Sequence, residues 1–126
     1  MPNGHGLWPA FWMLNENQAW PPEIDVSTLS SRSTVLRPVF LKILECFGQR
    51  PYQFHWAVHS NNNSFGAGNW AYPWANTQDS FHNYGAIWTA ESISFYFDDQ
   101  LTVTVPTPPD NKQDPMYLLA NLAIGG

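Results

Sequence analysis

Eleven prolines and eight glycines punctuate 126 residues, and no stretch between them carries a convincing helical period. A proline inside a helix removes a backbone donor and clashes with the preceding turn, so such a chain is driven toward strands and loops. The runs at 6–14, 52–60, 81–88, 92–97, 101–105 and 116–124 are rich in apolar, β-branched and aromatic residues and are bounded by turn-forming residues. They read as strands, and another begins at 23–26. The continuous apolar character of 6–14 and 116–124 predicts strands buried on both faces, with Pro9 near an edge or a bulge. Stretches 15–22, 61–79 and 107–114 read as loops. Asp98-Asp99-Gln100 reads as a hairpin turn, although it lacks the glycine that such turns favour. With no helical period and no internal repeat, the chain is expected to be all-β, a β-sandwich.

Composition narrows the function. The length suits a single domain, residues 1–126. Charged residues are 12% and aromatics 16%, with seven tryptophans, which fits a β-domain with a broad stacking surface and argues against disorder. The net charge of −5 and the absence of a basic run argue against a nucleic-acid partner. No apolar run approaches the roughly 20 residues of a membrane span, and Met1-Pro2-Asn3-Gly4-His5 has no signal-like region. The lone Cys46 excludes an internal disulfide framework. Asn62-Asn63-Ser64 is an isolated glycosylation sequon.

The chemistry concentrates at Trp20-Pro21-Pro22-Glu23-Ile24-Asp25. Glu23 and Asp25 are two apart and share a face of a strand. A third acid, Glu45, lies beyond residues 26–42, a stretch with no acid, one aromatic and three of the five basic residues of the chain. That shift marks 26–42 as an insertion. Without it the flanks close to Glu23-Ile24-Asp25-Ile43-Leu44-Glu45. Glu45 then stands five places beyond Glu23, the wrong parity for a regular strand, and one bulged residue would bring all three acids to one cleft.

The closed string resembles the catalytic signature of glycoside hydrolase family 16, retaining endo-β-glucanases and relatives on a concanavalin-like jelly roll. Gly6-Leu7-Trp8-Pro9-Ala10-Phe11-Trp12-Met13-Leu14, Phe81-His82-Asn83-Tyr84 with Trp88, and the run from Met116 to Gly126 resemble three further family strands in the same order. The spacing of the acids is more similar to the laminarinase side of the family than to the lichenase side. The resemblance implies a jelly-roll β-sandwich incomplete at both ends, because the family domain is roughly twice this length. It implies that Glu23 is the nucleophile, Glu45 the acid/base, and Asp25 the residue that hydrogen-bonds the nucleophile and keeps the acid protonated. Retaining cleavage uses two carboxyl groups about 5–5.5 Å apart and requires no metal or other cofactor, although a structural calcium occurs in some members. The expected partner is a β-1,3- or mixed β-1,3/1,4-glucan, acted on by a monomer, and the parent is expected outside the cell.

Sugar rings present apolar C–H faces, so aromatic platforms are expected. Trp20 is the leading candidate. Trp8 and Trp12 share strand parity and are either platforms or core. His59 matches a family histidine near the acid/base, or is a strand histidine with ordinary partners. Asn121 matches a cleft position, or is a structural amide. An H-x-x-x-H pair, His55 and His59, would need a helix to bind zinc, so no metal is expected there. Trp70 and Trp74 match no family motif and stand as outer platforms. Residues 26–42 are either a true loop or a retained intron: Val26-Ser27 can be written GTGAGT, Lys42 can be AAG, and 17 residues make an in-frame 51 nucleotides. As printed, Ser27 and Thr28 follow Asp25 where the acid/base belongs, and neither protonates a glycosidic oxygen well. Two further readings are a glucan-binding module that has lost its acid/base and an inactive mis-spliced fragment.

Overall fold

The computed structural model describes residues 3–18, 20–24, 39–41, 44–45, 50–62, 66–112 and 115–125. Asp25, Cys46 and most of 26–42 lie outside them. Among the described residues ten strands run in chain order: β1 (Leu7–Asn15), β2 (Glu23–Ile24), β3 (Val39–Leu41), β4 (Leu44–Glu45), β5 (Phe54–His59), β6 (Ala67–Ala71), β7 (Tyr84–Trp88), β8 (Ser92–Phe97), β9 (Gln100–Pro106) and β10 (Met116–Ile124). One 3₁₀ turn, Pro109–Asn111, precedes β10. The chain is all-β, as its punctuation predicts. No helix among the described residues is long and apolar enough to cross a membrane.

Two antiparallel sheets form. The larger contains β10, β1, β2, β4, β5 and β6, and the smaller runs β3-β7-β8-β9. Their facing sides follow from period-two alternation. Met13, Ile24, Phe54, Trp56, Val58 and Ala71 of the larger sheet pack on Tyr84, Ala86, Ile93, Phe95 and Phe97 of the smaller. Phe54 stacks on Phe97 at 5.7 Å and Trp56 lies 5.1 Å from Phe95. Residues of opposite parity on the larger sheet point away from this core.

β2 and β4 are two pieces of one lane. Both lie between β1 and β5, with Glu23 opposite Leu14 and His59, and Glu45 opposite Ala10 and His55. Between Ile24 and Leu44 the chain contributes β3 to the other sheet, opposite β7.

Three expectations need correction. β10 is not buried on both faces: Leu122 is 50% and Ile124 81% exposed, because it is an edge strand whose far end has no described neighbour from the smaller sheet. Of β1, only Met13 and Asn15 are buried. Its Pro9 pairs with Leu122 just beyond the last β4 pairing, so it faces no described strand on its other side. The stretch expected as a loop at 61–79 contains β6, whose Ala67-Gly68-Asn69-Trp70-Ala71 is poor in strand formers and is held by pairing with β5 from Phe54 to Val58. Where β1 meets the end of β10, Gly6 has φ +76° and an added Cβ would lie 2.0 Å from the Gly125 carbonyl oxygen, so only glycine closes this ladder.

The β8–β9 hairpin turns through Asp98 and Asp99, both at positive φ (44° and 64°), the backbone of a type I′ turn. Aspartate tolerates this region better than most residues. Asp98 also accepts hydrogen bonds from the backbone N–H of Asn83 (2.8 Å) and from His82 (Nδ1, 2.7 Å). The Asp99 side chain is exposed. Asp99→Gly is therefore expected to raise stability by up to about 1 kcal/mol, and Asp98→Gly to lower it. Urea midpoints of the two variants check this; equal shifts would mean that φ alone governs the turn.

Candidate active site

The outward face of the larger sheet carries the predicted site. Directly paired antiparallel residues share a face, so Trp8, Ala10 and Trp12 of β1, Glu23 of β2, His55, Ala57 and His59 of β5, Gly68 and Trp70 of β6, and Asn121 of β10 all occupy outward positions. Trp8 and Trp12 thus belong to the outer face and not to the core, because their parity is opposite to that of the buried Met13.

Glu23 and Glu45 stand four ladder places apart on both flanks, Leu14 to Ala10 on β1 and His59 to His55 on β5. Four is even, so the two positions have the same parity. The closed string would put Glu45 at five, and the ladder has only one place between Ile24 and Leu44 where that string carries both Asp25 and Ile43. The register has the one-residue offset that a bulge supplies. Asp25 itself lies outside the described residues, and for Glu45 the backbone register alone is described.

Around Glu23 the side chains are explicit. The Trp20 indole N–H donates to Glu23 Oε2, and the Trp20 ring lies 5.8 Å from that of His59. Trp20 is 65% exposed, as a platform must be. On one side of the acid lane a hollow of about 210 Å³ is lined by Trp8, Ala10, Trp12, Glu23, Asn121 and Ala123. Within it the Trp12 indole N–H donates to Asn121 Oδ1 at 2.8 Å, so Asn121 is an exposed group fixed by an aromatic neighbour and not a buried amide. On the other side a cleft of about 650 Å³ is bordered by Trp20, His59 and His55, with Ala57, Gly66 and Gly68 among its lining. The small residues leave room between the aromatic walls. Glu23 and the ladder position of Glu45 therefore lie between two depressions of one face.

Sequence reasoning missed part of this arrangement. His55, not His59, is opposite Glu45, and His59 is opposite Glu23. Trp70 lies opposite His55, with rings 5.1 Å apart, and carries the Arg50 guanidinium 5.3 Å from its ring centroid. Trp74 instead packs on Phe97, 5.0 Å away, and belongs to the inter-sheet edge. The alternation His55-x-Ala57-x-His59 was legible, but the partner of each histidine depends on register.

At the exit of β5, Asp110 accepts hydrogen bonds from Ser60 Oγ (2.8 Å) and the Asn61 backbone N–H (2.7 Å). Burial pushes the Asp110 carboxyl up, but the hydrogen bonds from Asn61 and Ser60, with that from its own backbone, outweigh it and hold the carboxyl below the usual aspartate range. A folded-state value below the unfolded one contributes stability that is present above the ordinary pKa, about 3.9, and lost as pH falls through the folded value. Asp110→Asn is thus expected to flatten the acid limb of the stability–pH curve below about pH 4. An unchanged limb in acid-denaturation scans would show that the pair does not form in solution.

A second constellation, Ser80–His82–Asp98, has the order of a hydrolytic triad, with His82 2.7 Å from Asp98 and 3.2 Å from Ser80. Its Nε2 also lies 3.0 Å from the Asn76 carbonyl oxygen, which can only accept. An Nε2–H directed at that carbonyl is not available to take a proton from Ser80. This cluster ties the 76–80 turn to the β8–β9 hairpin. Among the described residues no group of three or more His, Cys, Asp or Glu is gathered as a metal ion would need.

Comparison with known proteins bears on the family and the fold. Residues 41–126 match glycosyl hydrolases family 16. The chain is 39% identical over 126 residues to endo-1,3-1,4-beta-glycanase EglC of Rhizobium meliloti; the match takes in all of this chain and 23% of that protein. The endo-beta-1,3-glucanase of Pyrococcus furiosus superposes on the whole chain with a TM-score of 0.73 at 29% identity, over 48% of its own length. A laminarinase from Flavobacterium sp. UMI-01 does so with a TM-score of 0.72 at 28% identity, over 52% of its length. The chain therefore spans about half or less of the proteins it resembles.

Proposed function

Since the chain belongs to glycosyl hydrolases family 16, we propose that it carries the acid lane of an endo-β-glucanase that cleaves β-1,3- or mixed β-1,3/1,4-glucan with retention. The observation that carries this reading is the placement of Glu23 and the Glu45 register position, with matching parity, between two hollows of one face. A linear glucan lying across the strands would rest in both hollows with one linkage over the lane.

Four ladder places span about 13 Å, whereas double displacement needs carboxyls about 5–5.5 Å apart. Glutamate side chains are long enough for two of them to close that difference. Glu23 attacks the anomeric carbon as Glu45 protonates the departing glycosidic oxygen. Glu45 then takes a proton from water, which displaces Glu23 from the glycosyl–enzyme bond. The Trp20 indole N–H fixes one Glu23 oxygen, leaving the other for attack, and Asp25, between the two acids in the motif, is assigned to hydrogen-bond the nucleophile and keep the acid protonated. This chemistry draws on carboxylates alone.

The test is reducing-end release from laminarin and lichenan, with NMR of the first anomer formed. A β-anomer supports retention; an α-anomer would overturn it. Trp20→Ala is expected to weaken laminari-oligosaccharide binding roughly three- to tenfold with little change in melting temperature, and unchanged binding would remove Trp20 from the site. A second reading, a glucan-binding module without turnover, is favoured by the departure of the chain from the lane between Ile24 and Leu44. Saturable binding with no product release would select it.

A further inference from the structure

Trp20 is mostly exposed and has little packing to hold it, yet it meets both Glu23 and His59. Its loop is held from a distance. Asn61 Nδ2 donates to the Pro21 carbonyl oxygen at 3.1 Å, across 40 residues of sequence. The backbone N–H of the same Asn61 donates to Asp110 Oδ2 at 2.7 Å, across 49 residues, and Ser60 Oγ reaches Asp110 Oδ1 at 2.8 Å. Three remote segments, the Trp20-Pro21-Pro22 loop, the exit of β5 and the 3₁₀ turn, thus meet at one asparagine. The amide side chain can donate to Pro21 only while its backbone is pinned, and the pin is the Asp110 carboxylate.

We propose that Asn61, fixed by Asp110, is a positioning residue that holds the Trp20 platform against Glu23 at the wall of the larger cleft. Neither residue touches the reacting atoms. Their effect passes through the Pro21 carbonyl to the indole. The importance of this for glucan binding rests on the reading of the outer face as a glucan cleft; the tether itself does not.

The experiment uses the full chain labelled with ¹⁵N at tryptophan. The Trp20 indole resonance is assigned from its loss in Trp20→Phe, and laminarihexaose is titrated into each variant. Asn61→Ala is expected to move the Trp20 indole resonance, leave the melt close to that of the parent, and weaken laminarihexaose binding roughly fivefold, the scale of one neutral hydrogen bond. Asn61→Gln, which keeps the donor, is expected to recover most of both effects, which a purely structural role would not. Should Asn61→Ala fail to fold, Asp110→Asn, which keeps one acceptor, is expected to move the same resonance by less. A Trp20 resonance unchanged in the folded Asn61 or Asp110 variant overturns the tether. Glu23→Gln tests the catalytic reading separately: if it still releases reducing ends, that reading falls while the resonance result stands, and if Asn61→Ala is silent while Glu23→Gln is inactive, the reverse holds.

Discussion

Glu23→Gln is expected to bring reducing-end release from laminarin and lichenan to background while oligosaccharide binding persists. The amide keeps an oxygen to accept the Trp20 indole N–H, so the variant preserves local shape and removes only nucleophilicity. Glu45→Gln is expected to cost about 10²–10⁴-fold, the usual worth of a general acid–base group, and to cost less with a substrate whose leaving group needs no proton. That difference between the two variants, measured on laminarin and on an aryl β-glucoside of activated leaving group, assigns the roles. If Glu45→Gln loses equally on both substrates, it is not the acid. Full activity in Glu23→Gln would move the chemistry away from this lane.

Deletion of residues 26–42 is expected to raise turnover about 100-fold, the scale on which a displacement of about 1 Å in a catalytic group is felt. The reason is the register. Ile24 and Leu44 are separated by a single ladder place, so the ends of the excursion already meet and excision asks for no rearrangement of β2 or β4. Glu45 sits in a strand of two residues, held by Ala10, Phe11 and His55. Fusing it to β2 anchors it to the fully buried Ile24. Against this, β3 would be lost from the edge of the smaller sheet, so the melting temperature should fall even as activity rises. Equal activity in the two proteins would mean that the excursion is a true loop from which Glu45 already reaches its place. The retained-intron reading is checked apart from activity, by sequencing the coding DNA for GT and AG at the codons of Val26 and Lys42.

Much of the strand inventory was legible because turn residues and β-formers act locally. The runs ending at Asn15, His59, Trp88, Phe97 and Ile124 emerge as strands within a few residues of where their composition places them. β6 was not legible: Gly68 and Asn69 disfavour a strand, and only pairing with β5 overrides them. The over-reading of β10 has the same origin, since apolar character shows what a strand prefers to bury and not whether a neighbour is there to cover it.

The candidate site divides along the same line. Residue type and spacing, by themselves, carried the reading of Glu23, Asp25 and Glu45 as one acidic set with tryptophans around it, and the family that the set resembles. Only tertiary structure decided that Trp8 and Trp12 face outward, that His55 rather than His59 is opposite Glu45, and that Asn61, held by Asp110, reaches the Trp20 loop. A side chain's chemistry is carried by its own atoms and survives in a one-dimensional string. Its partner across a ladder depends on register, and a one-residue slip sends every side chain of a strand to the other face. Register is decided by burial of the opposite face, here by Met13, Ile24, Phe54 and Val58 closing on the smaller sheet.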